Sequence, residues 1–202
     1  FIYMQKDTLR YHIGVATYSV GVAYNNRKTS LQFIQQEMNN ITALSNETCQ
    51  LGIQSRNMVF YIAKKDSPQP IRLMSSVGKQ LPLYCTGLGR ALLAYKSEEE
   101  IRSLFPEVLT AYTPHTIATI NDLLKELELT RQRGYAVEHE ETNLMVNCIA
   151  VSLDYNNAPI AALSISIPTF RISESKEKEA VQILWEAKQR IETHFKMYGV
   201  DF

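Results

Sequence analysis

Residues 148–168 read CIAVSLDYNNAPIAALSISIP, a stretch in which a thiol and two hydroxyls recur at alternate positions. Successive side chains of a strand face opposite ways. Cys148, Ala150 and Ser152 therefore share one face of a first arm, while Ile149, Val151 and Leu153 share the other. The second arm repeats the division, setting Ala162, Ser164 and Ser166 against Ala161, Leu163, Ile165 and Ile167. A connection over 155–159 pairs the arms as a hairpin with Cys148 opposite Ser166 and Ala150 opposite Ser164. One face then packs a core. The other either leaves a space lined by convergent polar groups, as a small-molecule pocket requires, or makes room for a helix lying close above it.

A second candidate is the turn Thr86-Gly87-Leu88-Gly89-Arg90. Two glycines at an expected helix start leave backbone N–H groups uncovered, and that end of a helix attracts anions; glycines also serve close helix packing. If this turn meets the small face, the amides near Gly87 and Leu88 hold a carboxylate. Ser164, Ser166 and a neighbouring acid such as Glu138 then bond the ligand's hydroxyl or keto oxygens. Otherwise Glu138 is simply a solvated charge.

Other chemistries are poorly supported. His12, His115, His139 and His194 are scattered, none with a second histidine at metal-ligand spacing. Within Glu138-His139-Glu140-Glu141, strand alternation sends neighbours to opposite faces, so no cation is expected there. Neither a nucleophile elbow nor an HExxH motif occurs. Cys85 and Cys148 keep open a thiol redox enzyme, which needs an accessible cysteine of low pKa and a resolving partner. The commoner alternative is a buried, inert thiol. A third reading is a dimerisation module with a filled interior.

Composition narrows the class. The 202 residues are 45% hydrophobic and 21% charged, as in ordinary globular proteins. Lys plus Arg and Asp plus Glu both number 21, so no excess positive charge is available to grip a phosphate backbone. Three widely spaced cysteines, Cys49, Cys85 and Cys148, fit a reducing cytoplasm better than a disulfide framework. No apolar run reaches transmembrane length. The opening FIYMQKDTLRY resembles neither a signal peptide nor a natural initiator, and it reads as the start of a cut fragment.

Elements that could position these residues follow from periodicity. Residues 1–13 read as a small hairpin turning at Gln5-Lys6-Asp7-Thr8. A short apolar helix spans 15–24 and breaks at Asn25-Asn26-Arg27-Lys28. Leu31, Ile34, Met38 and Ile41 mark a helix over 30–44. Strands are expected at 48–54 and 58–63 and around 71–76, forming an antiparallel meander. Helical turns follow over 87–95, then after Ser97, where Glu100 completes a capping box. A helix over 119–133 is terminated by Gly134, a strand over 135–138 enters the sheet, and an amphipathic helix over 173–197 carries Ala180, Leu184, Ala187, Ile191 and Phe195. The arrangement is α+β, an antiparallel sheet flanked by helices.

Three segments, LPLYCTGLGRALLAY, RQRGYAVEHEETNLMVNCIAV and AALSISIPTFRIS, resemble in order and spacing the effector-binding domain of the IclR family of bacterial transcriptional regulators. KDTLRYHIG is similar to the last wing strand of that family's winged helix-turn-helix domain, and VATYSVGVAY to its linker helix. The resemblance implies a wing remnant over 1–14, a linker helix over 15–28 and an effector-binding domain over 29–202. It implies a GAF-like or profilin-like fold with a curved antiparallel sheet, homodimers or homotetramers, and no catalysis, cofactor or metal. DNA would be read only by an N-terminal domain preceding this chain, with no membrane involved. Carried over residue by residue, the effector contacts fall on Gly87, Leu88, Glu138, Cys148, Ser164 and Ser166, with Met74, Leu83 and Val146 as apolar lining. The effector implied is a small carboxylate, a keto acid or a sugar acid. Two positions depart from the pattern. Met145 stands where EExxxGxxCIA has glycine, and Glu138 stands where a shorter acid is frequent.

Overall fold

Two asparagines close the hairpin on which the main sheet is built. In the structure, a computed structural model that describes residues 1–25, 30–72 and 76–201, the chain opens with strands β1 (Ile2–Gln5) and β2 (Arg10–Ile13), paired with Ile2 opposite Ile13. Gln5 belongs to the strand and Leu9 takes a left-handed backbone in the turn, so the reversal lies one residue later than its polar run suggests. Helix α1 (Val15–Asn25) follows, then α2 (Ser30–Ser45). The expected break at 26–28 lies outside the described residues.

Strands β3 (Thr48–Ser55) and β4 (Met58–Lys65) form the first hairpin of the larger sheet. The third strand expected around 71–76 falls partly outside the described residues. Ile71, Arg72 and Ser76 are not extended into the sheet, and 73–75, Met74 included, lie outside the described residues. Strand β5 (Gln80–Pro82) pairs with β4. The amide of Tyr61 donates to Lys79 O and Tyr61 O accepts from Gly78, so this stretch of the β4 edge is taken by 78–82.

After a 3-10 turn (Leu83–Cys85) come α3 (Gly87–Leu93), α4 (Glu98–Leu104) and α5 (Ile120–Arg133). Thr86, Ser97 and Thr119 cap the three helices with their side chains, and Glu100 completes the capping box at Ser97. Gly134 ends α5 in the left-handed region, at φ 79°. Strands β6 (Ala136–His139), β7 (Val146–Tyr155) and β8 (Ala158–Pro168) follow, then helix α6 (Glu174–Tyr198). Asn156 and Asn157 alone form the β7–β8 turn, both at positive φ, a tighter connection than the five residues expected. The sheet is antiparallel throughout, in the order β5-β4-β3-β8-β7-β6.

Each face has its own core. Ile149, Val151, Leu153, Leu163, Ile165 and Ile167 pack with α2 and with the Ala180, Leu184, Ala187, Ile191 and Phe195 stripe of α6. On the other face α3 and α5 cover Ala136, Ala150 and Ala162. The register pairs Cys148 with Ser166 and Ala150 with Ser164. Both expectations for the small face are met at different places, because α3 lies across its middle while the ends stay open. Close approach is enforced by glycine. A Cβ on Gly89 would stand 2.1 Å from Leu83 O, and one on Gly52 would stand 2.5 Å from Val59 Cγ1 and 3.1 Å from Leu88 Cδ1.

These distances separate two otherwise similar substitutions. Gly89→Ala drives a methyl into backbone and is expected to cost about 3 kcal/mol or more. For Gly87→Ala the nearest atoms, Cys148 Cβ and Ala150 Cβ, lie at 3.4 Å, and the expected loss is under about 1 kcal/mol. Denaturant unfolding of the two variants beside the wild type checks the contrast.

Candidate functional site

At the N-terminal end of α3 the small face opens into a cavity of about 30 Å³, room for roughly two waters. Its floor is a row of strands carrying Gln50, Ser164, Cys148 and Glu138, and its roof is the turn Thr86, Gly87 and Leu88. Lys79, Leu81 and Tyr61 form one side, and Thr142, Asn143 and Val146 the other. The Thr86 hydroxyl is occupied as the acceptor for the Gly89 amide, leaving the amides of Gly87 and Leu88 as first-turn donors without an intrahelical acceptor.

Of the residues singled out from sequence, Gly87, Leu88, Glu138, Val146, Cys148 and Ser164 meet at this cavity. Ser166 stands just behind, its hydroxyl donating to Gln50 Oε1 at 3.0 Å and lying 3.2 Å from Cys148 Sγ. Leu83 is not lining. It is fully buried in the core beneath α3, and its backbone is the surface on which Gly89 rests. Met74 is outside the described residues. Gln50, Tyr61, Lys79 and Leu81 were not anticipated, although Gln50 carried a readable signal. Thr48, Gln50 and Gly52 alternate with Cys49, Leu51 and Ile53, the same small-and-polar rhythm as the central hairpin, and Gln50 pairs with Ser164.

Ser164 is the conspicuous member. It is 1% exposed, and its Oγ is buried with no hydrogen-bond partner. Buried hydroxyls are usually bonded, so this one is available to an occupant of the cavity. Glu138 is equally buried, with Oε1 accepting from the amides of Glu141 and Thr142. Burial nevertheless dominates and pushes its carboxyl up to about 7, against the lowering effect of those amides. It is no solvated charge.

Strand alternation fails at the next residues, because β6 ends at His139 and Glu140 is left-handed at φ 55°. Glu141 therefore turns inward as well, where it pairs with the buried Arg90. The arginine also donates to Tyr84 O at 3.0 Å and Val137 O at 2.9 Å. The hydroxyls of Thr113 and Thr116 donate to Glu140 O and Glu141 O, each at 2.6 Å. Met145 closes this loop at φ 67°, so it keeps a glycine-like backbone despite its side chain. Its amide donates to Glu140 Oε1 at 2.6 Å. Among the described residues, no group of three or more His, Cys, Asp or Glu side chains is placed to hold a metal ion.

The thiol redox alternative is not supported by the geometry. Burial pushes Cys85 up to about 12 and Cys148 well above the ordinary thiol value, with the Glu138 charge adding to the latter. Such thiols stay protonated and poorly nucleophilic near neutrality.

Comparison with known proteins agrees with this architecture. Residues 23–193 match the family described as bacterial transcriptional regulator IclR C-terminal. The chain is 31% identical over 204 residues to the HTH-type transcriptional regulator KdgR of Dickeya chrysanthemi, covering all of this chain and 67% of that protein. It is 34% identical over 178 residues to the HTH-type transcriptional repressor AllR of Escherichia coli K12, covering 87% of this chain and 66% of that one. The chain thus spans about two thirds of the length of these relatives. Among solved structures, IclR of Thermotoga maritima superposes with a TM-score of 0.82 at 30% identity, over 96% of this chain and 79% of that one. Among the described residues no helix is long and apolar enough to cross a membrane.

Two measurements test the site's energetics. The folded state keeps the Glu138 proton up to about pH 7, whereas a carboxyl at its ordinary value of 4.5 releases it earlier. The stability this proton contributes is complete below about pH 4.5 and disappears as pH rises through 7. Glu138→Gln keeps the Oε1 acceptor without titrating. It should match the wild type in stability near pH 4.5 and exceed it at pH 8 by about 3 kcal/mol, read from melting curves across that range. Met145→Gly removes the left-handed penalty from an exposed side chain. It is expected to stabilise by about 1 kcal/mol in urea unfolding.

Proposed function

The chain belongs to the IclR family of bacterial transcriptional regulators, whose members are regulators and not enzymes, and from that premise we propose that the cavity beneath α3 receives a small carboxylate effector, a keto acid or a sugar acid. The unpartnered Oγ of Ser164 carries this reading. A buried hydroxyl that makes no bond within the protein is left for whatever occupies the cavity, and a ligand oxygen placed against it completes its hydrogen bonding. Lys79 and the amides of Gly87 and Leu88 suit the carboxylate, while Ser164 and Glu138 suit hydroxyl or keto oxygens. With its carboxyl near 7, Glu138 donates in its protonated form and accepts in its charged form, so it serves either kind of oxygen.

A keto or sugar acid is larger than two waters, so binding has to displace the rim. The parts of the rim outside the core are Lys79 on one side and the turn carrying Thr142 and Asn143 on the other, and these are the parts that would have to yield. Binding energy is thereby tied to a change of shape, and only a ligand that favours one shape over the other shifts the population. In this proposal residues 29–202 sense the effector and assemble as a homodimer or homotetramer in the cytoplasm. Residues 15–28 link to the wing remnant over 1–14, and a domain preceding this chain binds DNA with its geometry set by the sensor.

Thermal-shift titrations against small keto, hydroxy and sugar acids test the proposal. At least one acid should raise the melting temperature saturably. Ser164→Ala should melt close to the wild type without ligand, since its hydroxyl makes no bond within the protein, and it should lose most of the ligand-induced shift. Silence from every acid, or an undiminished shift in Ser164→Ala, overturns the assignment.

A further inference from the structure

The opposite end of α3 covers a second and larger opening of about 200 Å³. We propose that this groove is a second small-molecule site, separate from the Ser164 cavity, for a neutral single-ring compound carrying one hydroxyl group. Its size exceeds that of the roughly 150 Å³ apolar cavity known to take up benzene. The walls are made by withdrawal of side chains, with Ala91 on α3, Ala94 capping its end, Ala136 on β6 and Gly134 between α5 and β6. Gly134 cannot be enlarged, because a Cβ there would stand 2.8 Å from Trp185 Cζ2. The rings of Tyr95 and Tyr135 add aromatic surface, which suits a flat ligand.

The lining is mixed, with Thr130 and Arg131 beside these residues, and two of its hydroxyls belong to one network. Ser152 Oγ and Tyr95 OH are 3.0 Å apart, and Tyr95 OH donates to Asp154 Oδ2 at 2.6 Å. Lys188 fixes the pair from behind, donating to Asp154 Oδ2 and to Ser152 O, each at 2.7 Å. Asp154 Oδ1 is buried without a partner, so the network is one donor short. Ser152 and Tyr95 are the members of this network that line the groove, and a ligand hydroxyl there bonds to Ser152 Oγ or Tyr95 OH.

Charge excludes an ionic ligand. Lys188 is already paired with Asp154 and Glu192. Arg131, which also lines the groove, donates to Ala94 O and Lys96 O and pairs with Glu128. No cation is left over for an acid, so this site differs in chemistry from the one with Lys79 and free amides.

Phenol is the probe. Heteronuclear NMR titration of the whole chain should show saturable shifts, with a Kd on the order of 1 mM, centred on Ala91, Ser152 and the indole N–H of Trp185. The chain has one tryptophan, so that last signal is unambiguous. Ala94→Leu fills the groove and should weaken phenol at least tenfold. Tyr95→Phe removes the hydroxyl without the ring, and it should weaken phenol severalfold while leaving toluene binding unchanged. Ser164→Ala should leave both probes unaffected. Shifts centred on Cys148 and Ser164, a response that fails to saturate, or equal loss of phenol and toluene in Tyr95→Phe overturns the proposal.

Discussion

The buried guanidinium of Arg90 is the constraint on which the site depends. It is 2% exposed, and its donors reach three separate pieces of chain: the 3-10 turn through Tyr84 O, strand β6 through Val137 O, and the following loop through Glu141. A charge so deep is tolerable only when every donor is matched, and breaking a pair of this kind costs on the order of 3–5 kcal/mol. The same contact sets where the loop amides fall. Glu141, held by Arg90 through its side chain, presents its own amide to Glu138, so the arginine indirectly fixes the orientation of the cavity's acid.

This arrangement explains how one sheet serves two purposes. Bulky residues on one face are spent on α2 and α6, which form an uninterrupted core. Small residues on the other face accept α3 at Ala150 and Ala162, and because α3 has only seven residues it leaves both ends of that face uncovered. Cys148, Ser164 and Ser166 lie at one end and Ser152 at the other. Polarity differs between the ends. One has uncovered amides and a lysine, whereas at the other the cations Lys188 and Arg131 are already paired with carboxylates.

Much of this was legible in the residues. Two-residue alternation gave the faces of β7 and β8 and their pairing, and helical spacing with Thr119, Ser97 and Gly134 located the helices, because those signals are local. Others were not. The short strand at 80–82 and the bonds of Gly78 and Lys79 to the β4 edge left no local signal, because which segment pairs with an edge is a tertiary outcome. Glu141 was misplaced because the alternation rule was extended past His139, where the strand ends. Leu83 was carried over as lining by resemblance, but Gly89 sits directly on its backbone and keeps it in the core. Gln50 lies on a strand with the same alternation, but no local pattern records that β3 joins β8, β7 and β6 as a fourth strand of the floor.

The turn at Asn156 and Asn157 has a bearing on the order in which the molecule can assemble. Two residues close the β7–β8 pairing, whereas β3 joins β8 only by bringing Thr48 beside Ser166, across more than half the chain. Loop entropy grows with the length enclosed, and distant contacts form more slowly. The thiol-and-hydroxyl ribbon can therefore zip up while the N-terminal half is still unstructured, and Gln50 completes its row only once that half has docked.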